Sequence, residues 1–506
     1  MKLSRLLYEG EYTASVSAED VEITGIASDT RAIRPGCLFI CLRGSRFDSH
    51  TLLSLLEEKG AAAAIVERGA PIPESIRIPL FSVASSRTAL SFAHSRYHNS
   101  PERDLTMIGV TGTNGKTSTA TVLYSILRAA GYKVGLIGTA ECRYEDRIYT
   151  LPEGDEGGRL RTMTTPDPDI LYPMLRTMKE AGITHVIMEV SSHSLALQKV
   201  APIRYRIGIF TNLSPEHMDF HNSMKSYAAA KAQLFSQCET GIFNCDDPHA
   251  EDIISTATCE VHRAGVVWQG DYRATDIELR GSQGITYSYV APGIRLRIRT
   301  PLPGSFSVYN TLLALTAAIE LGLSPLSAAE ALLTQTAVPG RLERLALTPG
   351  TEFSIFIDYA HTELALRSLL LSVRAFRHAG ERIVLLFGCG GDRDKSKRAP
   401  MGRVAEELAD KVILTSDNCR TEDPKAIIGD ILAGMHHPER VCVTVNRRRA
   451  IEEAILSAEV GDILLLCGKG HETYEITASG IHPFDERKIV AAALEKRKNG
   501  DTEHEN

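Results

Sequence analysis

Apolar and polar positions fall into three rhythms along this chain. Beyond residue 338, short apolar runs alternate regularly with longer stretches of helical spacing. Runs at 353–358, 383–388 and 412–416 precede helical stretches at 362–376, 398–408 and 425–435, and runs at 441–445 and 462–467 flank a helix after Arg447. This alternation predicts a doubly wound parallel sheet. Between 104 and 337 the pattern begins in the same way, with strands at 105–110, 133–138, 185–190, 207–211 and 241–245 and helices at 119–130 and 224–236. Residues 259–300 alternate singly, as antiparallel strands do, before an Ala- and Leu-rich helix at 306–321. Residues 1–103 carry shorter runs at 23–28, 37–42 and 61–66, a turn at Arg34-Pro35-Gly36 and a helix at 50–59.

The fold class is therefore α/β, in three domains: a small α/β domain (1–103), a central domain with a parallel sheet (104–337) and a Rossmann-like doubly wound domain (338–497). A polar tail (498–506) is expected to be disordered. Pro339-Gly340-Arg341 reads as the hinge into the third domain. Length agrees, since 506 residues exceed one ordinary core.

Composition narrows the class. The chain is 43% hydrophobic and 24% charged, with a net charge of −7, which argues against a general nucleic-acid or anionic-membrane surface. It has no apolar run long enough to span a bilayer and no signal-like N-terminus, so a cytoplasmic protein is expected. The ten cysteines include no C-x-x-C; Cys37, Cys41, Cys442 and Cys467 lie in apolar stretches and read as buried thiols.

The strongest chemical signal is Thr111-Gly112-Thr113-Asn114-Gly115-Lys116-Thr117-Ser118, between an apolar strand and a helix. A glycine turn at a helix N-terminus aims backbone N–H groups and the positive end of the helix dipole at an anion. Lys116 is placed for the β/γ-phosphates of a nucleotide and Thr117 for Mg²⁺. The loop is a variant, because Val110 stands where G-x-x-x-x-G-K-[ST] has its first glycine. Thr164-Thr165-Pro166-Asp167 reads as a helix entry with a threonine cap, after a glycine-rich loop at 151–161. Glu189 and His217 follow two other strands on the same edge, and a carboxylate with an imidazole can hold a divalent metal beside phosphates. Lys231, on the following helix, reads by itself as a solvated surface lysine. In the third domain Gly388-Cys389-Gly390-Gly391-Asp392-Arg393 fails the dinucleotide fingerprint, since Arg393 holds the third glycine place. Asp417-Asn418-Cys419-Arg420 offers a guanidinium fork for a carboxylate, and Glu472 in Gly468-Lys469-Gly470-His471-Glu472 offers a partner for an ammonium. Together they form a receptor for a zwitterion.

In this combination the chain resembles the Mur ligases of peptidoglycan synthesis. The phosphate loop, Glu189-Val190-Ser191-Ser192-His193 and the stretch 211–221 carry the likeness. Asp358-Tyr359-Ala360-His361-Thr362, the stretch 388–397 and the 468–472 motif narrow it to the branch that adds the third residue of the peptide. Ser28-Asp29-Thr30-Arg31 and 35–39 make the first domain similar to the family's UDP-binding domain.

The resemblance implies an ATP-dependent amide ligase that activates the D-Glu carboxylate of UDP-MurNAc-L-Ala-D-Glu as an acyl phosphate. The incoming amino acid would be meso-diaminopimelate, with L-lysine or L-ornithine as alternatives. It implies Mg²⁺ at Thr117 and Glu189, and a second ion at His217 and a carbamylated Lys231. It implies nucleotide contacts at 112–118, Asn310 and Arg341, and UDP-MurNAc-dipeptide contacts at Ser28, Thr164, Thr165, Ser191 and Lys199. Arg393, Asp417, Asn418, Arg420, Gly468 and Glu472 would bind the amino acid. A monomer without a nucleic-acid partner is expected.

Four positions depart from the family pattern. Lys199 replaces an arginine, Ser49 a glycine in Asp48-Ser49-His50, Ser307 an asparagine, and Cys419 the proline of D-N-P-R, a change expected to loosen that loop. Rival readings are another Mur or folylpolyglutamate-type ligase, a nucleotide-binding regulator without ligase activity, and a dehydrogenase.

Overall fold

The computed structural model describes residues 1–8, 10–44, 47–150, 163–335, 338–347 and 351–504; the glycine-rich stretch expected at 151–161 lies outside them. Three sheets of five, eleven and six strands follow one another along the chain, with a two-stranded hairpin near the end.

The central sheet places the site. Its middle strand, Thr106–Thr111, lies between His185–Glu189 and Tyr205–Phe210, all parallel. Val134–Ile137 extends the sheet beyond His185–Glu189, and Cys238–Asn244 extends it beyond Tyr205–Phe210. The strand order thus reverses direction at Thr106–Thr111, and such a switch point opens a crevice at the carboxyl ends of the strands. Register brings Glu189 level with Val110, and Phe210 level with Thr111. Buried aliphatic residues cover both faces. Helices Lys116–Ala129 and Phe306–Glu320 pack on one, Pro168–Glu180 on the other.

The expectation of single alternation over 259–300 needs one correction. Glu260–Gly265 runs parallel to Cys238–Asn244 and continues the parallel sheet; only Tyr272–Leu279, Ile285–Ala291 and Ile294–Thr300 form an antiparallel meander. Of the five residues paired with Cys238–Asn244, Glu260, His262 and Arg263 are polar, so periodicity alone did not separate the two cases.

The third sheet has the order Glu343–Arg344, Ser354–Asp358, Asp462–Cys467, Arg382–Phe387, Lys411–Leu414, Cys442–Val443, with only the first strand antiparallel. Its two faces carry separate apolar clusters, as a doubly wound sheet requires. Cys442 is exposed because its two-residue strand is the sheet edge, whereas Cys37, Cys41 and Cys467 are buried. The last helix, Glu486–His504, runs on into the tail expected to be disordered. Lysine, arginine and glutamate favour helix even where nothing is buried.

The first domain's strands are short, Ile26–Ala27, Leu38–Ile40, Ala63–Glu67 and Leu80–Val83 in parallel, edged by antiparallel Tyr12–Ala14. Ser49 takes a structural place there: its hydroxyl accepts from Leu42 N at 2.7 Å and donates to Leu42 O at 3.0 Å. No helix among the described residues is long and apolar enough to cross a membrane.

Candidate active site

Local geometry explains the variant loop. Val110 is fully buried inside its strand, so the turn begins only at Gly112. At Gly112, with φ +146°, a Cβ would lie 1.9 Å from Thr211 Oγ1; at Gly115, with φ +84°, it would lie 2.7 Å from Asn310 Oδ1. Both positions exclude side chains, which presses the turn against Thr211 and Asn310. Helix Lys116–Ala129 starts immediately after, with Gly115 as its N-cap. Asn212 clamps the turn, accepting from Asn114 N at 2.9 Å and donating to Asn114 O at 2.9 Å.

The charged groups converge on that turn. Lys116 Nζ donates back to Gly112 O at 3.0 Å and Thr113 O at 2.8 Å. Burial lowers its pKa, opposed by the nearby carboxylates of Glu189 and Glu216. Thr117 Oγ1 donates to Glu189 Oε2 at 3.1 Å and accepts from Arg341 Nη2 at 3.2 Å. Glu189 is buried and also accepts from Thr139 N at 2.9 Å and Thr139 Oγ1 at 3.0 Å. Asn310 joins the loop through Thr119, whose hydroxyl donates to it at 3.3 Å.

Lys231 is only 1% exposed, far from the surface lysine that its sequence context predicts. Its Nζ donates to Gly112 O at 2.8 Å and lies 4.5 Å from the centre of the Tyr227 ring. Burial, and then the neighbouring Lys116, hold its pKa well below the ordinary lysine value. His217 begins a short helix with φ +58°, its ring 4.7 Å from that of His193. Burial lowers its pKa, against the pull of Glu216. Burial would raise the Glu216 pKa, yet His361, His217 and Lys116 hold it well below the carboxylate range.

Thr165 does not cap a helix. The helix begins at Pro168 behind Asp167, and Thr165 Oγ1 donates to Glu189 O at 2.8 Å and accepts from Ser191 N at 3.0 Å. Thr164 accepts from Thr139 Oγ1 at 3.0 Å. These hydroxyls therefore line the approach to Glu189. Lys199 forms an ion pair with Asp167 at 2.6 Å. Neither Lys199 nor Ser28, which follows Ile26–Ala27 in the first domain, is among the residues lining the cleft described next.

That cleft lies between the central and third domains. A cavity of 600 Å³ over the phosphate loop shares Thr139, Thr164, Glu216, His217, Tyr359 and His361 with a second of 760 Å³. The second is lined by Arg393, Asp417, Asn418, Arg420, Gly468 and Glu472, the six residues expected to receive the amino acid. Asn418 Nδ2 donates to Glu472 Oε2 at 2.8 Å, and Asn418 Oδ1 accepts from Lys469 Nζ at 2.9 Å. Burial raises the Glu472 pKa, and so does Asp417 beside it. Arg420 Nη1 donates to Gly391 O at 2.9 Å and Asn418 O at 3.2 Å. Among the described residues neither Arg420 nor Arg393 pairs with a carboxylate, and after burial the mutual repulsion of these two lowers the Arg420 pKa. The loop through Cys419 is not loose: Arg420 N bonds Ile476 O at 3.0 Å, Glu422 N bonds Cys419 O at 3.0 Å and Gly391 N bonds Asn418 O at 2.9 Å. Ladder bonds replace the restraint of the missing proline.

Sequence reasoning assigned no role to Thr139, Glu216, His361 or Lys469. Their motif positions were visible for the last three, but their convergence depends on the fold; nothing in the local sequence marks Thr139.

Among the described residues no three His, Cys, Asp or Glu side chains form a ready metal cage. The donors present, a threonine hydroxyl and a carboxylate, are hard oxygens, which fits Mg²⁺, since that ion keeps waters and phosphate oxygens as its other ligands.

Comparison with known proteins adds the following. Residues 110–318 match the family model described as Mur ligase middle domain, and 340–470 that of the Mur ligase, glutamate ligase domain. A protein of Syntrophomonas wolfei named UDP-N-acetylmuramoyl-L-alanyl-D-glutamate--2,6-diaminopimelate ligase is 36% identical, covering 98% of this chain and 99% of its own. One of the same name from Chlorobium phaeobacteroides is 38% identical, covering 97% and 96%. A solved structure of a ligase with that name is 26% identical with a TM-score of 0.67, covering 98% of this chain and 99% of its own.

Proposed function

Because the chain belongs to the Mur ligase family, we propose that it is the ATP-dependent ligase that joins meso-diaminopimelate to UDP-MurNAc-L-Ala-D-Glu in peptidoglycan biosynthesis. The observation that carries this reading is the two guanidiniums of Arg393 and Arg420, which pair with no carboxylate among the described residues, beside Asn418 and Glu472 in the cleft that also holds the phosphate loop. Diaminopimelate has two amino-carboxylate ends. One amine attacks, and the distal end presents a carboxylate to the Arg420 fork and an ammonium to Glu472. Lysine and ornithine lack the distal carboxylate and leave Arg420 without its anion.

The chain's own groups divide the work. The 112–118 turn and Lys116 hold the phosphates of ATP, Lys116 exchanging its carbonyl partners for phosphate oxygens. Arg341, already on Thr117, and Asn310, against Gly115, border the nucleotide. Thr164, Thr165 and Ser191 hold the dipeptide end of the UDP substrate beside Glu189, with Lys199 and, on the domain of residues 1–103, Ser28 meeting its more distant parts. Thr117 and Glu189 would hold one Mg²⁺, His217 and a carbamylated Lys231 a second. Bound there, Mg²⁺ supplies charge neutralisation for the transferring phosphoryl group. Lys231 suits carbamylation because burial lowers its pKa and so favours the nucleophilic free amine; its nitrogen adds to carbon dioxide and one proton leaves to solvent. The phosphorylated D-Glu carboxylate would then meet the attacking amine of the amino acid that Arg393, Asp417, Asn418, Arg420, Gly468 and Glu472 hold by its distal end, with phosphate as the leaving group. The enzyme is read as a cytoplasmic monomer.

The test is phosphate release with ATP, Mg²⁺ and UDP-MurNAc-L-Ala-D-Glu, adding meso-diaminopimelate, L-lysine or L-ornithine separately. Release with diaminopimelate alone is expected. Release with lysine or ornithine would keep the ligase and overturn the Arg420 assignment, and no release at all would overturn the reading.

A further inference from the structure

A third cavity, of 560 Å³, opens at the opposite end of the central sheet, where the first domain, the linker and the central domain meet. Phe92 comes from helix Ser86–Tyr97 of the first domain, and Leu105 and Met107 from the start of the middle strand. These residues, with Pro202, make an apolar floor. Its rim carries the guanidiniums of Arg103, Arg204 and Arg206. Arg206 pairs with Glu239. Arg103 and Arg204 pair with no carboxylate among the described residues, so the rim holds a positive excess.

The cavity also has a polar group that the fold leaves incomplete. Glu102, only 3% exposed, lines it. Its Oε1 accepts from Ser95 Oγ at 2.6 Å, but its Oε2 is buried with no hydrogen-bond partner among the described residues. Leaving such an atom unpaired costs the desolvation of the group with nothing to offset it. Burial raises the pKa of this carboxyl, which favours the protonated form, a donor from Oε2. Two unpaired cations, one unsatisfied acid and an apolar floor thus meet in a space of ordinary ligand size.

We propose that this cavity is a binding site for an amphipathic organic anion, a phosphate monoester or carboxylate on an apolar body. The anion takes Arg103 and Arg204, Glu102 donates to one of its oxygens, and the body lies on Phe92, Leu105 and Met107. The site is separate from the catalytic cleft. The six-residue strand Thr106–Thr111 stands between them, about 20 Å long at ~3.3 Å per residue. Its occupant would touch the first and central domains together.

The test is calorimetric titration of phenyl phosphate, and separately of phenylacetate, into full-length protein saturated with ADP so that the phosphate loop is filled. Wild-type protein is expected to bind at least one probe at one site; the arms tell phosphate from carboxylate preference. The Arg103→Ala/Arg204→Ala double variant is expected to bind at least ~10-fold more weakly while its ADP affinity and melting temperature stay unchanged. Glu102→Gln, which keeps a donor at that position, is expected to retain binding. No binding of either probe to wild-type protein would overturn the proposal, and so would equal binding to the double variant. If the double variant fails to fold, Arg204→Glu alone serves, and undiminished binding there overturns it equally.

Discussion

The phosphate cradle and the amino-acid receptor face one cleft but are built in opposite ways. The cradle is a single contiguous turn, and its charged groups already have partners. Lys116 lies on the Gly112 and Thr113 carbonyls, and Thr117 lies between Glu189 and Arg341. The receptor is drawn from loops after three strands, Arg382–Phe387, Lys411–Leu414 and Asp462–Cys467, and two of its cations have no carboxylate partner among the described residues. A cradle made of backbone recognises what every nucleotide shares. Side chains from separate loops can distinguish one ligand from another, and on the proposed function the charges of Arg393 and Arg420 would select the amino acid. Stability and selectivity are thus lodged in different parts of the cleft.

Breaking the cradle should cost most. Lys116→Ala is expected to lower kcat by about 10³-fold, or about 4 kcal/mol, because the phosphoryl charge loses its cation; near-normal phosphate release would sink the assignment. Lys231→Ala should follow, with a loss of about 10²-fold, partly restored by millimolar formate or acetate that replaces the carbamate. A mass spectrum of fully active protein without the carbamate would refute that role. In the receptor, Arg420→Ala should lower kcat/KM for diaminopimelate by about 10²-fold, or ~3 kcal/mol, and for lysine much less. Equal losses would mean that Arg420 does not select.

The smallest effect concerns the contact between the two regions. His471, on the receptor's loop, packs against the Thr139 backbone, and burial pushes its imidazole down to about 3. Its unfolded value is about 6.5, so the unfolded chain binds the extra proton first as pH falls. The stability it contributes is complete above pH 6.5 and is lost as pH drops towards 3, about 1 kcal/mol by pH 5.5. Denaturant titrations at pH 7.5 and 5.5 should show this difference in wild-type protein, and His471→Gln should reduce it. An unchanged pH slope in the variant would rule out His471 as the source.

How much could be read beforehand follows the same division. The third domain's helix Arg398–Leu408 and strand Asp462–Cys467 stand where their apolar spacing placed them. Both belong to the doubly wound domain, whose inner strands are buried on both faces and therefore show as continuous apolar runs. Glu260–Gly265 misled, because Glu260, His262 and Arg263 interrupt the continuous apolar run that a strand inside a parallel sheet otherwise shows. The Thr164-Thr165 pair misled for another reason: threonine at a helix entry has the same local signature whether it caps the helix or bonds a distant carbonyl, here that of Glu189.

Sequence by itself determined what depends on neighbours along the chain: the glycine turn at 112–115, the lysine and threonine that follow it, the alternation that makes the third sheet, and the motifs that carry the likeness to Mur ligases. Tertiary structure alone decided what depends on desolvation and on contacts across the sheets. Lys231 reads as a surface lysine until the fold buries it against Gly112 and Tyr227. Thr139 has no local mark until two hydrogen bonds join it to Glu189. Arg393 and Arg420 are brought close enough to repel one another only by the fold, and neither pairs with a carboxylate among the described residues. Spacing is a property of the chain, whereas burial and electrostatic partnership are set by atoms hundreds of residues apart in sequence and a few ångströms apart in space.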